Sequence, residues 1–325
     1  MRHLLFVAAL SSSVTPFLSG REAPSSSPAA VQSAVALGPR EHRGRLLGTN
    51  TEHQPGIAPL DFGAANVTNS NLGGLCGQSC QGTIDGTGVR RFNTTTGLCT
   101  FHDIQATEGT TPCLAAHEMY YRGVGTTLSG IQVDLRVTNV SRYLPFKATA
   151  NGLSGVWGAI NVLTNHPADF LFEFVDSSTG DPVVLDEFGF TFLDLDTWNK
   201  GYEEQVTIRQ TLLNPDKPYQ FYRNGSLVSL TAAERTAAGI KINVSSAGTD
   251  SDNQPAYSFR STQVNGGENN PTSFSNLTAT TPTTAPDGGE ALMQQQAVQL
   301  NFLRTSSFVV RLSAVSPREL EPCWP

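Results

Sequence analysis

Two stretches of this chain, at residues 170–176 and 188–194, carry phenylalanines at every second position and end in an aspartate, and no other feature restricts the fold as far. In an extended strand successive side chains point to opposite faces. Phe170, Phe172 and Phe174 therefore share one face, and so do Phe188, Phe190 and Phe192. On a helix the same spacing would scatter the rings around the axis. Each strand needs an apolar layer to cover its row of rings. The turn chemistry of Thr179-Gly180-Asp181-Pro182 predicts a loop of about five residues joining the two strands into a hairpin, with Val184 on the face of the second row.

The same alternation recurs downstream. Ile131, Val133, Leu135 and Val137 alternate with Gln132, Asp134, Arg136 and Thr138, the mark of a half-buried strand. Further strands are expected at 155–163, 206–213, 219–222, 239–244, 256–260, 297–303 and 308–315. In the last two, Val298, Leu300 and Phe302 face Phe308, Val310, Leu312 and Ala314 across the turn at 304–307. Helix is confined to connectors: Thr231 and Glu234 have capping-box spacing, and residues 290–296 suffice for two turns. Parallel sheets require crossover helices of ten to fifteen residues, and none is present, so the expectation is an all-β, antiparallel two-sheet β-sandwich, jelly-roll-like, over residues 126–316, followed by a tail at 317–325.

The N-terminus sets the compartment. Arg2 and His3 precede an apolar run at residues 4–10 and a small-residue stretch, which reads as a secretory signal peptide over 1–23. That run is far below the ~20 residues a membrane span needs, and no later stretch approaches it. Residues 24–60, rich in Ser, Pro, Ala and Gly, read as a disordered linker or propeptide; Arg40 and Arg43 have the spacing of a processing site but suit a solvated patch better. The net charge of −7, with no basic cluster beyond residues 40–45, excludes nucleic acid as a partner. Six sequons, at Asn66, Asn93, Asn139, Asn224, Asn243 and Asn276, fit an exported glycoprotein placed outside the cell or on its surface.

Residues 61–125 form a disulfide-rich segment with Cys76, Cys80, Cys99 and Cys113. In an oxidising compartment each bridge would stabilise by roughly 2–4 kcal/mol. Cys76 and Cys80 are expected to pair outward with Cys99 and Cys113, in a connectivity that spacing leaves open. Cys323 makes the count odd: it is a free thiol, a staple displacing one of the four, or the bridge of a disulfide-linked dimer. His102-Asp103 and His117-Glu118 resemble a zinc set only superficially, since the second histidine of H-E-x-x-H is absent.

The aspartates that trail the phenylalanine rows are the candidate site. Asp194 and Asp196 follow the parity of Phe188, Phe190 and Phe192, which carries carboxylates toward the core side at a strand end. Burying an ionised carboxylate is costly unless a cation or several N–H donors meet it. Hard oxygen ligands and an extracellular setting point to Ca2+, held by Asp194 and Asp196 with Glu203 or Glu204; the competing outcomes are an arginine partner, a backbone-capped strand end, or exposure. A second acidic group, Asp176, Asp181 and Asp186, fits ordinary turn chemistry. Trp198 and Tyr202 follow the first acidic group and would suit a sugar-binding face, whereas Trp157 belongs to the core. Gly152-Leu153-Ser154-Gly155 is one residue short of a hydrolase nucleophile elbow, and no other catalytic motif occurs.

Residues 151–204, with Asn151-Gly152, the two phenylalanine strands, Thr179-Gly180-Asp181-Pro182 and the run ending at Asp196, together with 296–310, resemble secreted β-sandwich proteins of unassigned role from unicellular algae and related protists. The resemblance covers about half of the chain and implies a sandwich fold and an extracellular setting, with no active site to transfer. The function expected is a non-catalytic binding or surface-coat module, calcium-stabilised and engaging glycan or matrix. The alternatives are a carbohydrate-active enzyme on a jelly roll and a purely structural coat protein.

Overall fold

The protein is described by a computed structural model that places residues 4–11, 62, 65–74, 92–93, 98–99, 117–143, 145, 150–196, 203–224, 226–262, 283–284, 290–291 and 293–315. In chain order its strands are β1 (Leu4–Ser11), β2 (Asn66–Ser70), β3 (Phe92–Asn93), β4 (Leu98–Cys99), β5 (Glu118–Thr126), β6 (Gln132–Asn139), β7 (Gly152–Ser154) and β8 (Trp157–Val162). They continue as β9 (Ala168–Asp176), β10 (Leu185–Leu193), β11 (Glu203–Arg209), β12 (Tyr219–Arg223), β13 (Ser226–Val228), β14 (Ile242–Thr249) and β15 (Pro255–Ser261). The last are β16 (Thr283–Thr284), β17 (Glu290–Ala291), β18 (Val298–Thr305) and β19 (Ser307–Val315). The helix α1 (Ala232–Ala237) begins on the expected capping box: Glu234 N–H donates to Thr231 Oγ1 at 3.3 Å and Thr231 N–H to Glu234 Oε2 at 2.8 Å. Residues 290–296 make no two-turn helix; they hold β17 and a tight 3-10 turn at Met293–Gln296.

Two antiparallel sheets carry the fold, an all-β sandwich. The larger runs β14-β15-β11-β19-β9-β6-β5-β2 and the smaller β13-β12-β18-β10-β1-β8-β7. Strands β2 and β5, from the segment rich in cysteine, complete one edge of the larger sheet. Residues 4–11, whose sequence reads as an export leader, stand in the smaller sheet between β8 and β10. No helix among the described residues is long and apolar enough to cross a membrane.

The phenylalanine rows line the interior but do not form a hairpin. Strand β9 pairs with β6 and β19 in the larger sheet, while β10 pairs with β18 and β1 in the smaller. A hairpin would have set the two rows side by side in one sheet. Crossing between sheets sets them face to face, so each row covers the other: Phe172 meets Phe190 edge-on at 5.2 Å, and Phe174 meets Phe188 at 5.0 Å. The step from β18 to β19 is a second crossing of the same kind, made through Arg304 at φ 48, and it brings Phe302 within 4.3 Å of Phe308. Phe308 also stacks on Phe172 at 5.0 Å, nearly parallel. These rings are 3 % exposed or less.

Polar ties fix the register. Arg311 and Asp169, opposite each other on β19 and β9, form a forked ion pair, with Nε to Oδ1 at 2.9 Å and Nη2 to Oδ2 at 3.0 Å.

Candidate functional site

At the end of β10 the chain leaves the smaller sheet, and it enters the larger one at Glu203. The departure begins at Asp194, whose φ of 62 lies in the left-handed region. Five non-glycine residues among those described have positive φ, and Asp194 is the buried one. Leu195, fully buried, donates its N–H to the Gln296 carbonyl at 3.0 Å, which anchors the departing chain on the turn that precedes β18. Asp196 accepts from Glu204 N–H at 3.1 Å through its carbonyl, and its own N–H is directed at Glu204 Oε2 at 3.4 Å.

These anchors gather Asp194, Asp196 and Glu204 in the interior, 3 %, 6 % and 6 % exposed. Strand alternation decides which glutamate joins them. Glu204 shares its parity with buried Val206 and Ile208, whereas Glu203 points to the other face and pairs with Arg260 at 3.2 Å. Of the four residues expected to bind a cation, the fold unites three and sends Glu203 outward.

The electrostatics are one-sided. Burial pushes the Asp194 carboxyl well above the usual carboxylate range, and the neighbouring Asp196 pushes it further. Burial does the same to Glu204, with Asp196 and then Asp194 adding to it and only the Asp196 N–H acting the other way. Oδ1 of Asp194 is buried and has no hydrogen-bond partner. Two chemistries relieve such a group: sharing of protons between the carboxyls, or a cation that replaces those protons. Among the described residues no three His, Cys, Asp or Glu side chains stand in a ready metal-ligating arrangement, so the carboxyls are close neighbours without being a finished cage.

Trp198, Tyr202, Cys76, Cys80, Cys113, Cys323, His102 and Asn276 lie outside the described residues. Cys99 ends β4, opposite Phe92, and Asn93 lies in β3. His117 is exposed just ahead of β5. Asn66, Asn224 and Asn243 are exposed, while Asn139 is half-buried and donates its Nδ2 to the Ser141 carbonyl at 2.9 Å. Asp176 is occupied by its own turn: Ser178 donates to Oδ1 from N–H at 2.7 Å and from Oγ at 2.6 Å, which lowers its pKa below the usual range. Trp157 is fully buried in a small cluster with Ala159, Leu193 and Ala297, apart from the main core.

Two buried carboxylates are not apparent from the sequence, Asp169, held by Arg311, and Asp134. Asp134 sits in the polar row of its strand yet is fully buried, its Oδ1 accepting from Gly123 N–H at 2.8 Å and Ser177 Oγ at 2.5 Å. The signal was the Gly123-Val124-Gly125 run in β5, where pairing with β6 is irregular and Gly123 adopts φ 71. Burial first, and then Asp134, push the neighbouring Tyr120 hydroxyl up to about 12. The interior between the sheets has a void of about 10 Å3 lined by Phe62, Tyr121, Ile160, Phe172 and Phe192 among others, room for one water at most. Compared with known families, curated proteins and solved structures, the chain matches none.

Proposed function

We propose that this protein is an exported, non-catalytic binding or surface-coat module that engages glycan or matrix through the loops at its strand ends, and that Ca2+ stabilises it at Asp194, Asp196 and Glu204. The observation that carries the reading is Asp194: a carboxylate held at a left-handed turn, buried, with one oxygen unpartnered, beside two more buried carboxyls. Without a cation the site keeps its protons. As the protons leave, the same oxygens become hard anionic ligands of the kind Ca2+ takes, and metal binding and proton release are one equilibrium. An ion there would tie the departure from the smaller sheet to the entry into the larger one and brace the intervening loop for a ligand. Burial also favours binding over catalysis, because an acid that cleaves a glycosidic bond must reach its oxygen, and these groups are 3–6 % exposed.

The test is a thermal melt near neutral pH with Ca2+ and then with chelator. Extracellular modules bind Ca2+ at roughly 10⁻⁴–10⁻³ M, so about 10 mM ion should stabilise by about 1.4–2.7 kcal/mol. An unchanged midpoint removes the calcium. A glycan array beside a reducing-sugar release assay separates binder from enzyme, and sugar release abolished by Glu204→Gln would overturn the non-catalytic reading.

A further inference from the structure

The smaller sheet depends on one strand in a way that bears on the N-terminus. Strand β1 has antiparallel neighbours on both sides: Val7 to Ser11 lie opposite Leu193 to Gly189 of β10, and Leu4 to Ala8 opposite Val162 to Gly158 of β8. Without it the order β13-β12-β18-β10-β1-β8-β7 breaks into β13-β12-β18-β10 and β8-β7, with no direct pairing between β8 and β10. Strands in a sheet stand about 4.8 Å apart, so the two walls would be left roughly 10 Å from each other.

Those walls are interior, not edges prepared for water. Every residue of β8 is buried, and Phe190, Thr191, Phe192 and Leu193 of β10 are 1 % exposed or less. Natural sheets blunt their free edges with charge, proline or bulges. Neither wall has a charged residue or a proline between positions 157 and 162 or 188 and 193. Removing β1 would leave facing rows of backbone N–H and C=O groups without strand partners between apolar side chains. The gap therefore has the chemistry of a strand-binding slot: two rows of backbone donors and acceptors between apolar walls, which accept an extended, proline-free apolar peptide of about eight residues.

We propose that the space between β8 and β10 is a strand-acceptor site, and that Leu4–Ser11 is its resident ligand, kept with the folded protein instead of being discarded as a leader. The segment fits the chemistry: its sequence, LLFVAALS, has no charge and no proline. The inference concerns the sheet and not the acidic group, so it stands or falls apart from the calcium reading; with residues 4–11 retained, the export reading rests on the sequons and not on removal of a leader.

The experiment compares the full chain with a chain beginning at residue 24, each melted with and without a synthetic peptide of residues 3–12. The truncated chain should melt well below the full chain, and the peptide should bind it with one-to-one stoichiometry and restore most of the difference while leaving the full chain unaffected. Equal midpoints for the two chains, or a truncated chain indifferent to the peptide, would overturn the proposal. If the truncated chain does not fold, Ala8→Pro in the full chain decides the matter. Ala8 lies opposite Phe192 on one side and Gly158 on the other, so proline there removes a central backbone donor, and a melt equal to that of the unaltered chain would overturn the assignment.

Discussion

Glu204 and Asp196 are joined twice: Glu204 N–H donates to the Asp196 carbonyl at 3.1 Å, and Asp196 N–H is directed back at the Glu204 side chain, to Oε2, at 3.4 Å. The contact closes a loop whose two ends belong to different sheets, and it fixes a glutamate beside Asp194 in the interior.

The pH dependence follows from that enclosure. Asp194 and Glu204 both titrate above the ordinary carboxylate value of about 4. Between that value and their raised ones the folded chain holds more protons than the unfolded chain. Stability is therefore complete below the unfolded value and falls as pH rises through the folded ones, by up to about 1.4 kcal/mol per pH unit for each proton. In chelator, the melting midpoint should be higher near pH 5 than near pH 8. Glu204→Gln and Asp194→Asn should flatten the fall and abolish any response to Ca2+. A midpoint that rises from pH 5 to pH 8 in chelator would show that these carboxyls are already ionised and compensated.

Gly189 leaves room for a neighbour's side chain: a Cβ built on it would lie 2.3 Å from the Gln299 amide carbon. The amide is not free to swing away, since Gln299 is fully buried, donates to Asn301 Oδ1 at 2.8 Å and accepts from Thr191 Oγ1 at 3.3 Å. Gly189→Ala should cost about 1–3 kcal/mol of stability in denaturant unfolding. Removing the obstacle should recover part of it, so that Gly189→Ala with Gln299→Ala is less destabilised than the two single changes added together. Strict additivity would mean that the two positions do not touch.

The sandwich was legible because period-two apolar patterning survives in β6, β9, β10, β18 and β19, where one face meets the opposite sheet. Pairing was not legible. Periodicity tells which face of a strand is buried but not whether its covering row lies beside it or across from it, so the spacing of Phe170–Phe174 and Phe188–Phe192 suits a hairpin as well as the face-to-face packing that the fold adopts. The acidic site was half legible: parity points Asp194 and Asp196 inward and both are buried, but β10 ends at Leu193 and the left-handed turn at Asp194 buries Leu193 and Leu195 too, while the choice between Glu203 and Glu204 needed the true start of β11. Strand β1 was hidden because a short, uncharged apolar run has the same composition in a leader and in the middle of a sheet.

Phe308 is the ring on which the two crossings converge. It stacks on Phe172 and lies within 4.3 Å of Phe302 and 5.1 Å of Phe190, so it touches both sheets. Phe308→Ala should cost about 3–5 kcal/mol, and Phe308→Leu distinctly less. Its neighbour Val309 is 36 % exposed, and Val309→Ala should change stability by no more than about 0.5 kcal/mol. Urea unfolding of the three variants, read by the shift in midpoint at constant slope, checks the order. A small loss at Phe308 would mean that the sheets are not packed through this ring.

The proposed export makes a prediction that stability measurements do not. Asn66 in β2, Asn243 in β14 and Asn224 in the turn between β12 and β13 are exposed, so a glycan at any of them projects into solvent. At Asn139 the nitrogen that would carry the sugar already donates to the Ser141 carbonyl, and the residue is half-buried. A glycan there would take one of the two hydrogens of that nitrogen and press a bulky polar group against the fold. Protein recovered from the medium of secreting cells should therefore show high occupancy at Asn66, Asn224 and Asn243 and the lowest at Asn139, measured by peptide mass after enzymatic deglycosylation. Chains that carry sugar at Asn139 should be enriched in the retained, misfolded fraction. Retention of the whole chain inside the cell, with no sequon modified, would remove the extracellular assignment and with it the setting in which weak calcium binding has a purpose.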